Sequence, residues 1–119
     1  MLPGQRPLTL LVCALVTLVT LATLVACKRP TAAEGGRQLF ASSCARCHGS
    51  GGAGGVAVAG VPTPRNFRDH AFQTERTDEQ LKQVIVNGKG TAMPPFGAMF
   101  TDAQLAELVG HVRSLDPVK

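Results

Sequence analysis

The chain has 119 residues, room for one small domain, and a formal net charge of +4. That mild bias excludes the basic stripe of a nucleic-acid binder. There is no Trp, no Tyr and only five Phe, so a domain this short has little apolar core of its own.

Leu8 to Ala26 is almost continuously apolar, and Arg6 precedes it. A basic residue ahead of an apolar run reads as a signal peptide over residues 1–26. The run ends Leu24-Val25-Ala26-Cys27. This resembles the bacterial lipobox, in which a small residue precedes a Cys that receives a diacylglyceryl group before cleavage. On that reading Cys27 carries lipid and opens the mature chain. The same stretch is just long enough to span a bilayer as an uncleaved anchor. Either reading puts the domain outside the cytoplasm and against a membrane. Residues 27–31 are then a short connector, and residues 32–116 the folded domain.

Thr31-Ala32-Ala33-Glu34 is a capping box, and it opens a helix over about 32–43 with Leu39 and Phe40 facing inward. Gly35 and Gly36 each cost that helix about 1 kcal/mol relative to Ala. Glycines in such positions usually serve close packing against another element.

Next comes Cys44-Ala45-Arg46-Cys47-His48. C-x-x-C-H is the attachment signature of a c-type haem. Two thiols three positions apart can each add to one vinyl group on a porphyrin edge, and the adjacent His48 supplies an imidazole to the iron. A thioredoxin-like reading needs a βαβ setting, which the surrounding pattern lacks. A zinc site needs four N or S ligands. The remaining cysteines, Cys13 and Cys27, lie in or at the end of the N-terminal apolar segment. No pair is left for a structural disulfide.

Gly49 to Gly60 is rich in Gly, Ala and Val and reads as a loop wrapping the His side of the haem, where small residues permit close approach. Val61-Pro62-Thr63-Pro64 closes it in extended backbone. A second helix begins after the Thr77/Gln80 capping pair, with Leu81, Val84 and Ile85 on one face, and stops at Asn87-Gly88. A third opens at Thr101/Gln104, carries Leu105, Leu108, Val109 and Val112 as its stripe, and ends by Asp116-Pro117. No strand pattern appears.

Between these helices, residues 87–100 form a loop holding Met93-Pro94-Pro95. A thioether on stiff backbone suits the sixth position of a low-spin haem iron, and a Met/His pair raises the reduction potential relative to two imidazoles. Met99 is the competing thioether and is expected to pack inside. Of the other imidazoles, His111 adjoins the apolar stripe and His70 sits in a polar, solvated stretch.

Together these segments resemble the class I monohaem cytochromes c of bacteria. The resemblance runs from about Gly36 to Leu115. It rests on Gly36-Arg37-Gln38-Leu39-Phe40, Cys44 to Gly49, Asn87-Gly88, Met93-Pro94-Pro95-Phe96-Gly97 and Val112-Arg113-Ser114-Leu115. It implies an all-α fold of three main helices and long loops around one covalent haem, with the first and last helices crossing near it. It also implies a Met ligand at Met93 and a hydrogen bond from the His48 imidazole to the carbonyl of Pro64, or of Pro62. The chain departs from the family where His111 replaces a residue that is commonly Tyr.

The expected function is one-electron transfer through haem c, with Cys44 and Cys47 as thioether anchors and His48 and Met93 as axial ligands. The short connector keeps the domain near its lipid. The expected partner is therefore a redox complex of the same membrane, an oxidase, reductase or dehydrogenase, at the periplasmic face of a bacterial envelope. The competing function is a haem enzyme or gas sensor with an open sixth site.

Overall fold

The computed structural model describes residues 12, 14–16, 29–55 and 58–118. The signal-peptide and lipobox expectation, with Cys27, falls outside these residues apart from Val12 and Ala14–Val16. Among the described residues no helix is long and apolar enough to cross a membrane.

Helix α1 spans Ala32–Ser43, α2 Ala45–His48, α3 His70–Glu75, α4 Asp78–Asn87 and α5 Asp102–Ser114. The three long helices start where their capping boxes stand. In α1 the Glu34 amide donates to Thr31 Oγ1 at 3.3 Å, while the Thr31 amide donates back to Glu34 Oε2 at 2.9 Å. Thr77/Gln80 and Thr101/Gln104 repeat the exchange at α4 and α5. Each satisfies N–H groups that a helix start leaves free. The two short helices were not expected from periodicity. α2 is a single turn, and α3 is started by the Asp69 side chain accepting from the Ala71 amide at 3.1 Å.

α1 packs across α5, and α4 leans on α5 from another side. The α1–α5 crossing depends on Gly36, where a Cβ would lie 2.1 Å from the Glu107 carbonyl oxygen and 3.1 Å from His111 Cβ. The expectation that these glycines serve packing holds at this position. Phe40 and Leu108 fill the crossing and are the most deeply buried large side chains, with Leu81, Val109 and Val112 completing the cluster. Among the described residues there are no named strands. The one isolated bridge joins Lys89 to Met93. The described part of the fold is all-α.

Candidate haem site

The Cys44–His48 segment follows α1 with no residue between, and Cys44 and Ala45 pack against the core cluster. Cys47 and His48 both donate their amides to the Cys44 carbonyl, at 3.1 and 3.0 Å. This turn sets Cys44 and Cys47 three residues apart on the same face. Neither forms a disulfide among the described residues; Cys44 is half-buried against the core and Cys47 is exposed. Burial, and then the neighbouring Cys47, push the Cys44 thiol above its ordinary pKa.

His48 is held from two directions. Its Nδ1 lies 3.2 Å from the Arg65 carbonyl oxygen. A carbonyl only accepts, so Nδ1 carries the proton and Nε2 keeps its lone pair for a metal. The His48 ring also stacks on Phe67, with centroids 4.5 Å apart and planes inclined by 21°. The carbonyl expected from the resemblance was that of Pro64. The one found, neither that of Pro64 nor that of Pro62, is the carbonyl of Arg65; the Pro64 carbonyl oxygen lies close to Gly54, 3.0 Å from where a Cβ would stand there.

Met93 stands on a separate loop hung from the end of α4. The Lys89 amide donates to the Met93 carbonyl at 2.9 Å, and the Met93 amide returns to Lys89 at 3.3 Å. Gly88 makes the turn possible: it adopts φ +71°, and a Cβ there would lie 2.5 Å from the Met93 carbonyl. Further along, the amides of Phe96 and Gly97 donate to the Ile85 and Val86 carbonyls at 3.0 and 3.1 Å. These are last-turn acceptors that α4 leaves open. Met93 itself is half-buried.

The other candidates are placed differently. Met99 was expected inside but is 65% exposed. A turn closed by its amide on the Phe96 carbonyl at 2.9 Å precedes it, and Phe100 packs on the core in its stead. His70 is solvated, as expected, but its Nδ1 also pairs with Asp116 Oδ2 at 2.9 Å. His111 packs on Phe40, ring centroids 4.9 Å apart, at the helix crossing.

The residues present fit a covalently held haem. Two thiols share one face of a turn, and the next residue offers an imidazole whose Nδ1 is engaged and whose Nε2 is spare.

The family "Cytochrome C oxidase, cbb3-type, subunit III" matches residues 31–112. The chain belongs to this cytochrome c family. The cytochrome is 34% identical over 93 residues to the cbb3-type cytochrome c oxidase subunit FixP of Sinorhizobium medicae, across 71% of this chain and 30% of that protein. The match therefore takes in about a third of that relative's length. It is 30% identical over 109 residues to cytochrome c6 of a Picosynechococcus species, across 82% of this chain and 87% of the relative. Among solved structures, KustC0563 c-type cytochrome superposes with a TM-score of 0.58 at 28% identity, over 68% of this chain and 96% of that one. The chain is thus a class I monohaem cytochrome c with one covalently bound haem c.

Proposed function

We propose that this cytochrome is a one-electron carrier in which Cys44 and Cys47 would hold the haem as thioethers and His48 and Met93 would ligate its iron. When bound, the haem supplies a reversible one-electron couple tuned by its axial ligands and surroundings. The observation that carries the reading is the double hold on His48, since a fixed imidazole with a spare Nε2 suits a permanent ligand. Donation from Nδ1 to the Arg65 carbonyl makes that imidazole more basic. The Met93 loop contributes the second fixed point through its pairing with Lys89 and the two prolines after it. Electron transfer requires no proton donor from the chain, so no residue is assigned as acid or base, and the protein is an electron carrier and not an enzyme.

The FixP relatives are oxidase subunits, which supports a membrane respiratory complex as partner. The lipobox-like Leu24 to Cys27 and the short connector support a lipid anchor at the periplasmic face. Mass spectrometry of the mature N-terminus checks this: the parent chain should begin at Cys27 and carry a diacylglyceryl group, whereas Cys27→Ser, which blocks lipidation and the cleavage that follows it, should retain residues 1–26.

Ligation is tested by Met93→Ala and Met99→Ala in the haem-loaded protein. Met93→Ala should abolish the Met–iron charge-transfer band at the red end of the oxidised spectrum, lower the reduction potential and open the iron to CO. Met99→Ala should leave all three unchanged. An unsubstituted protein that binds CO readily, without displacing a ligand, would support the sensor or enzyme reading instead.

A further inference from the structure

Gln73 is the one buried polar side chain among the described residues, 5% exposed. It lies on α3, which contributes no haem ligand to the proposed set. Its carboxamide is nonetheless fully engaged. Nε2 donates to the Phe67 carbonyl at 2.7 Å and to the Val112 carbonyl at 2.9 Å. Oε1 accepts from Arg113 Nη1 at 2.9 Å, and the same Nη1 donates to the Gln73 carbonyl at 2.5 Å. Carbonyls only accept and a guanidinium only donates, so the orientation of the amide is fixed by its partners. Arg113 is itself held by Asp78 Oδ1 at 2.7 Å and by the Arg76 carbonyl.

The destination of this network is the segment that holds His48. Phe67 is clamped at both its backbone groups: its amide donates to the Gly52 carbonyl at 2.7 Å, and its carbonyl receives Gln73. Its ring lies on the His48 ring, and two residues earlier the Arg65 carbonyl takes His48 Nδ1. Burying a carboxamide is unfavourable unless every group finds a partner. Here the carboxamide's partners are Phe67 in the segment that holds His48 and Val112 and Arg113 on α5, so the amide bridges the two.

We propose that Gln73 is a positioning residue for the axial imidazole. It fastens the Arg65–Phe67 segment to α5 and so fixes both the acceptor of His48 Nδ1 and the ring on which His48 stacks. This rests on His48 being the iron ligand. Groups that hold a metal-binding imidazole set its orientation and basicity, so the effect extends to the redox couple.

The test uses the haem-loaded cytochrome with two neutral variants, which add no charge near the iron. Gln73→Met fills the same volume without donors. Gln73→Asn keeps the carboxamide but is one methylene too short to span Phe67 and Val112 together. Lys82→Gln is the control, breaking the Lys82–Asp102 pair that joins α4 to α5 without touching the 65–67 segment. Redox titration and NMR of the oxidised protein are the readouts. Both Gln73 variants should raise the reduction potential, because a weaker Nδ1 hydrogen bond leaves the imidazole less electron-rich. Both should also shift the paramagnetically displaced His48 ring and haem methyl signals. Lys82→Gln should lower Tm at most. If Gln73→Met does not mature, Gln73→Asn supplies the same comparison. Gln73 variants that lose thermal stability while keeping the unsubstituted potential and His48 signals overturn the proposal. An unsubstituted protein with no axial imidazole signal overturns the ligand assignment beneath it, and that result is distinguishable because it needs no variant.

Discussion

His111 shows how one side chain couples the helix crossing to pH. Its ring packs on Phe40, and its Cβ faces Gly36. Burial, then the nearby Arg37, hold its pKa below the ordinary 6.5. The native state therefore prefers the neutral imidazole. As pH falls below that ordinary value, the unfolded chain takes up the proton first, and the stability associated with this group is lost through the lower native pKa. His111→Phe should remove that contribution, so Tm should fall less than in the parent between about pH 7 and about pH 5. Thermal melts of the haem-loaded pair across that range check it; parallel curves would contradict it. Single side chains were also where the sequence was hardest to read. C-x-x-C-H named its own chemistry, because the spacing itself is the signal. The switch from the Pro64 to the Arg65 carbonyl was not legible, since carbonyl direction depends on how the loop packs against Gly54. Gln73 was missed because a polar residue in a short polar stretch reads as solvated, and its partners Val112 and Arg113 lie far along the chain.

Adjacent glycines on α1 have opposite roles. A Cβ at Gly36 would run into the Glu107 backbone, whereas at Gly35 it would meet only the movable Glu107 carboxylate, at 2.4 Å from Oε2. Gly36→Ala should therefore force α1 and α5 apart and destabilise by about 1–3 kcal/mol or more. Gly35→Ala should be near neutral or gain up to about 1 kcal/mol, the ordinary helix preference of Ala over Gly. Chemical denaturation of the two haem-loaded variants separates these outcomes. The long helices were legible because each joins a capping box to an apolar stripe. α1 was expected over 32–43 and is found at Ala32–Ser43. α3 was not legible: at six residues it is too short for a stripe to repeat. Only the Asp69 cap hinted at it, and one such signal is common in loops.

The buried apolar cluster of the described domain is small and lies almost wholly along α1, α4 and α5. A covalently attached porphyrin adds apolar surface that so short a chain cannot supply. The double variant Cys44→Ser/Cys47→Ser should therefore lose covalent haem on a denaturing gel. It should also lose most of its helical circular dichroism at 25 °C after haem extraction, because ligand binding to the native state is part of what holds it together. A haem-free chain with an undiminished helical spectrum would refute that dependence. The composition hinted at this, with no Trp, no Tyr and few Phe, but only the packing shows how few residues share the interior.

The crossing of α1 by α5 also joins stretches that lie far apart along the chain. α1 runs straight into the thiol-bearing turn, whereas α5 at Asp102–Ser114 returns to it only after the whole intervening loop region. Closing so long a connection costs chain entropy and slows folding. The bed on which Cys44 rests, shared by Phe40 and Leu108, is therefore complete only once both helices have met.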